Sequence, residues 1–444
     1  MYFKQLKGLV HLLPFLPKGK MRTRIARDAA ARGDTRALRA EPEDATVLAR
    51  LGLHRAALSV AQPNDWEALF LGNAAVGEVI PALAAIGKRR QVAPSTLLRG
   101  MRLLAMYDPH AALALSGALF PTDRATYALA ANRPDLATLA LTGESGREAN
   151  ILRSVIAATN SDWRQCRRHF ASAFADDTLE APVRPDAEGP LSLESLAASV
   201  TPGSVSGPKV SVVIPFHNAA PTLTMSVRSI LAQSWQDIDI ILVDDRSSDA
   251  SVQIASALSK LDRRVRVLSN DRKPGAAGAR NTGIAASTGS YVMLHDADDW
   301  AHPRRVERQI GAARRAASVS MYVRIGADGR PMSPHIAPLV RLSPACLIVK
   351  RAAMIAVGPI EEVPFGSDSE FLARLDLKLG RRNVLREGSL LTVASWTATS
   401  ISGDPAYGLA TQKGREMRET YRASWLVRHA RGILLANDAV NLGA

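Results

Sequence analysis

Cysteine is scarce in this sequence, and its scarcity excludes a disulfide framework. Only Cys166 and Cys346 occur among the 444 residues, far apart and outside any Cys-x-x-Cys motif. A disulfide-stapled fold needs more cysteines at closer spacing. We expect both thiols to be buried or incidental, as in a protein of a reducing compartment.

Long apolar runs are also missing. No stretch approaches the roughly 18 consecutive apolar residues of a membrane span, so we expect no transmembrane helix. Residues 1–20 are apolar and basic but lack the small-residue cleavage site of a signal peptide. We interpret this segment either as amphipathic, lying on an anionic membrane surface, or as the first helix of the following domain. The expected location is the cytoplasm, including a peripheral place on the cytoplasmic face of the membrane.

Positive charge is abundant. The sequence has 56 Lys and Arg residues against 42 Asp and Glu residues, a formal net charge of +14. Such a surplus suits nucleic acid, phosphorylated small molecules or an acidic membrane face. Charge alone does not choose among them, because much of the surplus is Arg scattered on Ala-rich helical stretches. No basic patch interleaved with aromatic residues and no nucleic-acid-binding motif is present, so no nucleic acid partner is expected.

Outside residues 209–402, the sequence pattern predicts a helical region, a linker and a helical tail. Residues 21–178 have apolar residues at three- and four-residue spacing with short Pro, Asp and Asn breaks, which predicts helices. They form either a degenerate, tetratricopeptide-like helical repeat or an ordinary helical bundle. Residues 179–208 are rich in Pro, Gly, Ser and Asp and are predicted to be a linker. Residues 403–444 are predicted to form a helical tail.

Residues 209–402 are predicted to form an α/β domain. Strand and helix patterns alternate, which predicts a doubly wound, mostly parallel sheet with functional residues at the carboxyl ends of its strands. The predicted strands are 210–214, 238–243, 265–268 and 291–294, and the predicted helices between them are 222–233, 250–261 and 277–286.

Polar and flexible residues follow each of these four strands. In strand order, the candidate ligand-binding residues are Pro215 and His217; Asp244 and Asp245; Gly278 and Arg280; and Asp296, Asp298 and Asp299. Because parallel strands bring their carboxyl ends to one edge, the four groups should converge there.

The chemistry of this set suits a nucleoside diphosphate. Asp245 can accept a hydrogen bond from a base N–H, and His217 can stack on that base. Small residues around Gly278 let the backbone approach phosphate at a helix N-terminus, where Arg280 adds a fixed charge. Three carboxylates within four residues repel each other, and Mg²⁺ or Mn²⁺ would relieve the repulsion while bridging the two phosphates. The competing interpretation of Gly275 to Gly283 as a dinucleotide fingerprint fits poorly, because the glycine spacing is wrong and the loop follows the third strand.

These motifs resemble those of a family 2 glycosyltransferase of the GT-A fold. The resemblance covers residues 209–310 and rests on Val210-Ser211-Val212-Val213-Ile214-Pro215-Phe216-His217-Asn218, Leu242-Val243-Asp244-Asp245-Arg246-Ser247-Ser248-Asp249, Ala279-Arg280-Asn281-Thr282-Gly283 and Asp296-Ala297-Asp298-Asp299-Trp300. From there to about residue 402 the likeness is looser, with Gly366-Ser367-Asp368-Ser369-Glu370 at the place of the family's base motif. His217 stands where the family usually has Tyr, and Ser367 where it usually has Glu.

The resemblance implies inverting transfer of a sugar from a nucleoside-diphosphate sugar donor to a hydroxyl of a glycan or glycolipid acceptor. Asp298 would hold the metal together with Asp299 or Asp296. Asp368 is the expected general base, with Glu370 beside it as the alternative. The enzymatic rival is a nucleotidyltransferase. The rival from another class is a catalytically silent scaffold that binds a protein partner through its helical domain.

Overall fold

The computed structural model describes residues 13, 18–31, 33–87, 92–117, 120–184, 187–196, 203–311, 315–398 and 400–430. Most of the predicted membrane-surface segment 1–20 therefore lies outside the described residues. The chain divides into two compact units. The first contains the described residues of Met1–Glu144, Pro334–Ala337 and Ala406–Leu434, and the second contains those of Ser145–Ser333 and Pro338–Pro405.

The described residues form nineteen α-helices and nine strands, numbered here in chain order. Helices α1 to α19 are Lys20–Ala31, Arg36–Ala40, Ala45–Leu51, His54–Val60, Trp66–Val76, Val79–Gly87, Pro94–Leu104, Pro109–Ser116, Pro121–Ala130, Pro134–Ala140, Arg147–Thr159, Trp163–Ala175, Leu223–Leu231, Ser251–Leu261, Ala276–Ala285, Arg305–Gly311, Arg351–Val357, Ser367–Leu379 and Gln412–Ala430. Strands β1 to β9 are Val210–Phe216, Ile238–Asp244, Val265–Ser269, Tyr291–Leu294, Asp299–Ala301, Ala317–Gly326, Pro331–Met332, Arg341–Lys350 and Val384–Trp396.

The first unit is built from α1 to α10 and α19. Proline occupies the start of α7, α8, α9 and α10, where its missing N–H is one that a helix leaves unpaired anyway. Asp44 and Asp108 cap α3 and α8 by accepting a hydrogen bond from a backbone N–H of the first turn. These local signals are the breaks that divide the helical region in the sequence. Among the described residues of both units, no helix is long and apolar enough to span a bilayer.

The second unit is an α/β domain around one sheet with the strand order β3-β2-β1-β4-β8-β6-β9-β5, and β7 pairs with β6. Strands β1 to β4 are mutually parallel. Beyond β4, strand β8 is antiparallel to β4 and β6, whereas β6 and β9 run parallel. The predicted doubly wound architecture, with helices before it, is confirmed, and the four predicted strands form one continuous parallel block of a mixed sheet.

Apolar residues alternate across this sheet and bury helices on both faces. Val212, Ile240 and Met293 pack with residues of α13, α14 and α16 on one face. Val213 and Ile241 pack with residues of α15, α17 and α18 on the other. Because successive strand residues point to opposite faces, a sheet covered on both sides needs near-continuous apolar strands. The same cores orient the carboxyl ends of β1 to β4 toward one edge.

The division into units differs from the predicted domain boundaries. Helices α11 and α12, which the sequence pattern placed in the helical region 21–178, lie in the second unit, and residues 406–430 of the predicted tail lie in the first. Polar contacts explain the position of α11 and the end of α12. The carboxylate of Glu148 accepts hydrogen bonds from the backbone N–H groups of Leu339 and Val340. Asp177 pairs with Arg147 and accepts from the N–H of Leu390 in β9.

The two cysteines are buried and free, at Cys166 in α12 and Cys346 in β8. Burial raises the pKa of Cys166 to about 12 and also raises that of Cys346. Both side chains therefore stay protonated near neutral pH.

Candidate nucleotide-sugar site at the strand ends

The first part of the site is the end of β1. Pro215 pairs with Val243 of β2, beyond the point where the pairing of β1 with β4 ends at Val213. A proline fits there because β1 has already lost its β4 neighbour and needs no N–H on that side. Two residues later the exposed ring of His217 donates from Nδ1 to the backbone oxygen of Asp245, at 2.8 Å. That bond fixes the ring at the rim of the site.

The second part is the pair of acids that ends β2. Asp244 accepts a hydrogen bond from the N–H of Ser247 at 3.1 Å. Asp245 is buried, and its two oxygens accept from Nδ2 of Asn270 at 2.6 Å and from the N–H of Gly275 at 2.7 Å. The sequence did not predict this tie between Asp245 and the glycine loop. Each carboxylate oxygen has a second lone pair, so Asp245 keeps the capacity to accept a hydrogen bond from a ligand.

The third part is the glycine loop that leads into α15. Gly275 has a φ of 121°, in the region that glycine adopts without strain. Gly278 lies in the first turn, where a Cβ would be 2.0 Å from the backbone oxygen of Lys273. The absence of a side chain at Gly278 therefore lets the loop fold tightly against the start of the helix, where backbone N–H groups attract anions.

The fourth part is an acid cluster formed by Asp296, Asp298 and Asp299 after β4. Nη2 of Arg280, one turn into α15, lies 2.6 Å from Oδ1 of Asp296. Loss of water raises the pKa of Asp296, but the Arg280 guanidinium outweighs this effect and holds the pKa below its usual value. Asp296 is therefore a charged partner of Arg280. Nε of Arg280 is buried and has no hydrogen-bond partner among the described residues.

The other two acids of the cluster have no such cation in contact among the described residues. Loss of water and the charge of Asp296 raise the pKa of Asp298, although its Oδ2 accepts from the Ser395 hydroxyl at 2.8 Å. Asp299 begins β5 and is buried; loss of water, Asp298 and Asp296 raise its pKa well above the usual value. Like-charge repulsion is thus concentrated on Asp298 and Asp299.

A buried arginine that was not predicted from the sequence contacts the end of β4, directly before the acid cluster. Arg305 of α16 is fully buried and donates to the oxygen of Leu294, the last residue of β4. It also lies 3.0 Å from Nδ1 of His295. Burial and the Arg305 charge lower the pKa of His295 to about 3, so its ring is neutral and accepts this hydrogen bond. No motif signals this pair, since its two members are individually ordinary.

The predicted base motif begins α18, and its two acids have different surroundings. Asp368 is half-buried, and its Oδ1 accepts from the N–H of Ser369 at 2.9 Å. Its charge acts on Arg280 and helps raise the pKa of that guanidinium against the effect of burial. Glu370, by contrast, is fully buried and pairs through both oxygens with Arg374, at 2.9 Å each. Asp368 therefore acts on Arg280, whereas Glu370 pairs within α18 with Arg374, which donates to the backbone oxygens of Val357 and Pro359.

A second arginine, Arg324 of β6, was also missed. Its guanidinium carbon lies 5.2 Å from the ring centre of Tyr322 and 5.3 Å from that of Trp396. Its charge lowers the pKa values of Asp298 and Asp299 against the factors that raise them. The strand alternation of Tyr322 and Arg324 could have signalled a shared face, but not its distance from the acid cluster.

The acid cluster fits a hard divalent cation on the basis of its donors. Aspartate oxygens are the ligands that Mg²⁺ and Mn²⁺ prefer, and repulsion between Asp298 and Asp299 would be relieved by a cation. Within the described ranges, no group of three His, Cys, Asp or Glu side chains is arranged to hold a metal alone. Mg²⁺ is usually bound by one or two carboxylates together with substrate phosphates and water.

Comparison with known proteins gives the family of this unit. Residues 211–352 match the glycosyl transferase family 2. This stretch is a family 2 glycosyltransferase domain. It begins in β1, ends just after β8 and contains every strand-end residue described above.

Two curated relatives illustrate the extent of the match. Glycosyltransferase GlyG of Streptococcus pneumoniae is 44% identical over 98 residues, which is 22% of this chain and 33% of the relative. Succinoglycan biosynthesis protein ExoO of Rhizobium meliloti is 35% identical over 128 residues, 28% of this chain and 36% of the relative. The chain thus spans about a third of the length of these relatives. Among solved structures, glucosyl-3-phosphoglycerate synthase from Mycobacterium tuberculosis, in complex with Mn²⁺ and UDP-glucose, aligns with a TM-score of 0.37 at 16% identity over 51% of this chain and 80% of the other.

Proposed function

We propose that the family 2 domain transfers a sugar from a nucleoside-diphosphate sugar to an acceptor hydroxyl with inversion at the anomeric carbon. One observation carries the proposal: the Arg280–Asp296 pair, the acids Asp298 and Asp299, and Asp368 come from three separate elements and interact electrostatically. A structural ion pair needs one acid for one arginine, whereas three acids, Asp296, Asp299 and Asp368, act on Arg280 at this site. A diphosphate with its bound cation would interact with both, since the phosphates would contact the arginine and the cation would contact the carboxylates.

The donor would lie across the strand ends. His217 and Asp245 would contact the base, with Asp244 and Pro215 shaping the rim beside them. Gly278 lets phosphate approach the N-terminus of α15, and the unpartnered Nε of Arg280 would donate to a phosphate oxygen. Arg280 is the strongest candidate for a phosphate contact, because its one carboxylate partner leaves further N–H groups available.

A divalent cation, Mg²⁺ or Mn²⁺, would be held by Asp298 with Asp299 or Asp296. When bound, it supplies Lewis-acid stabilisation of the charge on the departing diphosphate. The chain itself keeps Asp296 charged through Arg280 and orients Asp298 through the Ser395 hydroxyl. Both contacts hold the carboxylates in place before substrate arrives, which lowers the cost of organising the site.

The acceptor hydroxyl must lose a proton as it attacks, and we assign this role to Asp368. Its carboxylate is half-buried on the first turn of α18, and its hydrogen bond to the N–H of Ser369 fixes its orientation while leaving a second oxygen. The acceptor is proposed to be a glycan or glycolipid of a cell-surface polysaccharide. The relative named for succinoglycan biosynthesis supports this choice.

The proposal is tested with a panel of nucleotide sugars in the presence of Mg²⁺ or Mn²⁺, with release of free nucleoside diphosphate as the readout. We expect one donor to be hydrolysed slowly and to raise the melting temperature. Release of pyrophosphate would instead identify a nucleotidyltransferase. No release and no thermal shift with any donor would leave the scaffold interpretation.

The variant Asp298→Ala tests the metal assignment. We expect donor hydrolysis and transfer to fall together by at least a hundredfold, since removal of one preorganised electrostatic group from an active site costs about 10²–10³ in rate. Addition of excess chelator to the unmodified protein should have the same effect. Full activity in chelator, or in Asp298→Ala, contradicts metal dependence. Asp328→Ala, on the exposed turn between β6 and β7, is the matched control.

A further inference from the structure

Arg324 is held in an unusual way for an arginine beside an acid cluster. Its guanidinium lies between the rings of Tyr322 and Trp396, at 5.2 and 5.3 Å from the ring centres. Both distances are in the range of cation–π attraction. Two rings restrict the plane of the guanidinium, so its N–H groups keep a fixed direction.

Strand register places this arginine beside the acid cluster. Asp299 of β5 pairs with Ala394 of β9, and Ala394 pairs with Arg324 of β6. Residues paired across neighbouring strands share a face of the sheet. The small side chain of Ala394 leaves space between Asp299 and Arg324, and Trp396, two residues further along β9, lies on the same face.

The N–H groups of Arg324 are only loosely satisfied within the protein. They reach the hydroxyl of Tyr322 at 3.4 Å, the backbone oxygen of Ser395 at 3.2 Å and the hydroxyl of Ser402 at 3.4 Å. These are long for N–H···O bonds, which are usually about 2.9 Å. In the part of the chain that the structure describes, Arg324 forms no ion pair with a carboxylate, unlike Arg280 with Asp296. A planar guanidinium with weak bonds is suited to a carboxylate or phosphate, which it can bind through two N–H groups.

We propose that Arg324, held between Tyr322 and Trp396, binds an anionic group of the acceptor, so that the enzyme selects acceptors carrying a carboxylate or a phosphate. This inference rests on the proposed transferase function. The donor's diphosphate already has Arg280 and the metal-binding carboxylates, which come from α15 and the end of β4. Arg324 comes from the β6–β9 pair on the far side of Asp299, and its aromatic neighbours suit a sugar rather than a second phosphate of the donor.

The acid cluster adds a condition to this selection. Without a cation, Asp298 and Asp299 repel any anion that approaches Arg324, and a bound divalent cation cancels that repulsion. Binding of an anionic acceptor is therefore expected to require the metal. A neutral acceptor has no such requirement, so metal dependence of acceptor binding is a second signature of the same contact.

The first experiment measures binding without turnover. Ligand-observed NMR compares methyl glucuronide with methyl glucoside, and sn-glycerol 3-phosphate with glycerol, in the presence and absence of Mg²⁺. We expect the anionic member of at least one pair to bind about tenfold more tightly than its neutral partner and only with Mg²⁺, since a charge-assisted hydrogen bond supplies about this factor. The first pair reports a carboxylate and the second a phosphate. Equal binding within both pairs, or anion binding without Mg²⁺, overturns the proposal.

Variants assign the effect to Arg324. Arg324→Gln should remove the difference within the pair. Arg324→Lys keeps a positive charge near Asp298 and Asp299 and should restore the difference only in part, because lysine lacks the planar fork. Arg263→Gln, an exposed arginine of the same unit, is the matched control and should change nothing. If Arg324→Lys, which keeps the positive charge, weakens nucleoside diphosphate binding at saturating Mg²⁺, the residue serves the donor and the proposal is wrong.

The second experiment measures turnover with the donor selected by the panel. The anionic acceptor should raise nucleoside diphosphate release above donor hydrolysis, and Arg324→Gln should raise the KM for that acceptor while donor hydrolysis continues. Failure of donor hydrolysis in the unmodified protein would contradict the proposed function alone, because the NMR comparison still reports on Arg324. Donor hydrolysis without any preference for the anionic acceptor contradicts the Arg324 assignment alone.

Discussion

The acids of this site are chemically identical side chains in unequal surroundings. Asp296 has an arginine in contact, and its pKa is held below the usual value. For Asp298 and Asp299, loss of water and repulsion by neighbouring carboxylates outweigh the charge of Arg324, and their pKa values are raised. Such a divergence between neighbouring carboxyls is typical of functional sites. The acids therefore have different proposed roles. Asp296 pairs with Arg280, and Asp298 and Asp299 are available to bind a cation.

Asp368 and Glu370 also differ in their surroundings, and we expect their substitutions to have different effects. Asp368→Asn removes the proposed base while keeping the size of the side chain, so we expect turnover to fall about 10²–10⁴-fold with nucleoside diphosphate affinity unchanged. Steady-state kinetics and calorimetric titration with the nucleoside diphosphate provide the two measurements. A loss of turnover smaller than tenfold would show that another group takes the proton.

Glu370→Gln is the contrasting variant for that measurement. It leaves the buried guanidinium of Arg374 without its carboxylate, and breaking one side of a buried ion pair costs about 3–5 kcal/mol. Stability should fall, as measured by denaturant unfolding, while turnover of the folded protein is retained.

At the scale of elements, the site depends on how loops are tied to strand ends. The glycine loop is held by Asp245 through the N–H of Gly275, and it folds against α15 because Gly278 has no side chain. Asp245 is also proposed to contact the base, but its bond to Gly275 acts on the loop itself, as does the lack of a side chain at Gly278. Both decide where the phosphate-binding N–H groups lie.

Gly278→Ala tests this element directly. The new Cβ would meet the Lys273 oxygen at 2.0 Å, and because that atom is backbone the loop must move. We expect weaker nucleoside diphosphate binding and a loss of about 1–3 kcal/mol of stability, the usual cost of overpacking. Calorimetric titration and thermal unfolding measure both. Gly311→Ala at the end of α16, where no atom lies within 4 Å of a new Cβ, is the control and should not weaken binding.

Local sequence signals predicted these elements far better than their long-range partners. The apolar runs of β1 to β4 and the polar residues after each strand are local signals. The structure brings these polar residues to one edge of the sheet, as expected. The position of Arg324 is not local, because it depends on β9 entering the sheet between β6 and β5 from far along the chain. Likewise, α11 and α12 have ordinary amphipathic patterns. Long-range contacts assign them to the second unit, such as those of Glu148 with the segment before β8, of Asp177 with β9 and of Phe174 with the ring of His302.

At the scale of the whole molecule, the two units are stabilised by different chemistry. The second unit is a sheet buried on both faces by helices. The first unit is entirely helical in its described residues and contains basic groups away from water. His54 at the start of α4 is one of them, with Arg99 of α7 and Arg422 of α19 as the charges that act on it. Acidification should therefore destabilise the first unit through His54, which is far in the sequence from the proposed catalytic residues.

We expect the first unit to lose stability as the pH falls below about 6.5. Burial, Arg99 and Arg422 lower the pKa of His54 from 6.5 to about 3, so between these values the unfolded chain takes up a proton that the folded chain does not. By linkage, the contribution of His54 is fully present above pH 6.5 and is lost progressively as the pH falls toward 3. Between pH 7 and pH 5 this amounts to about 2 kcal/mol, at about 1.4 kcal/mol per pH unit. Denaturant unfolding at both pH values, followed by far-UV circular dichroism, measures the loss, and His54→Gln should reduce it by that amount. The comparison uses the difference between the two pH values, so a uniform effect of the substitution on stability cancels. An unchanged pH dependence in His54→Gln would mean that His54 is protonated in the folded unit despite its two cationic neighbours.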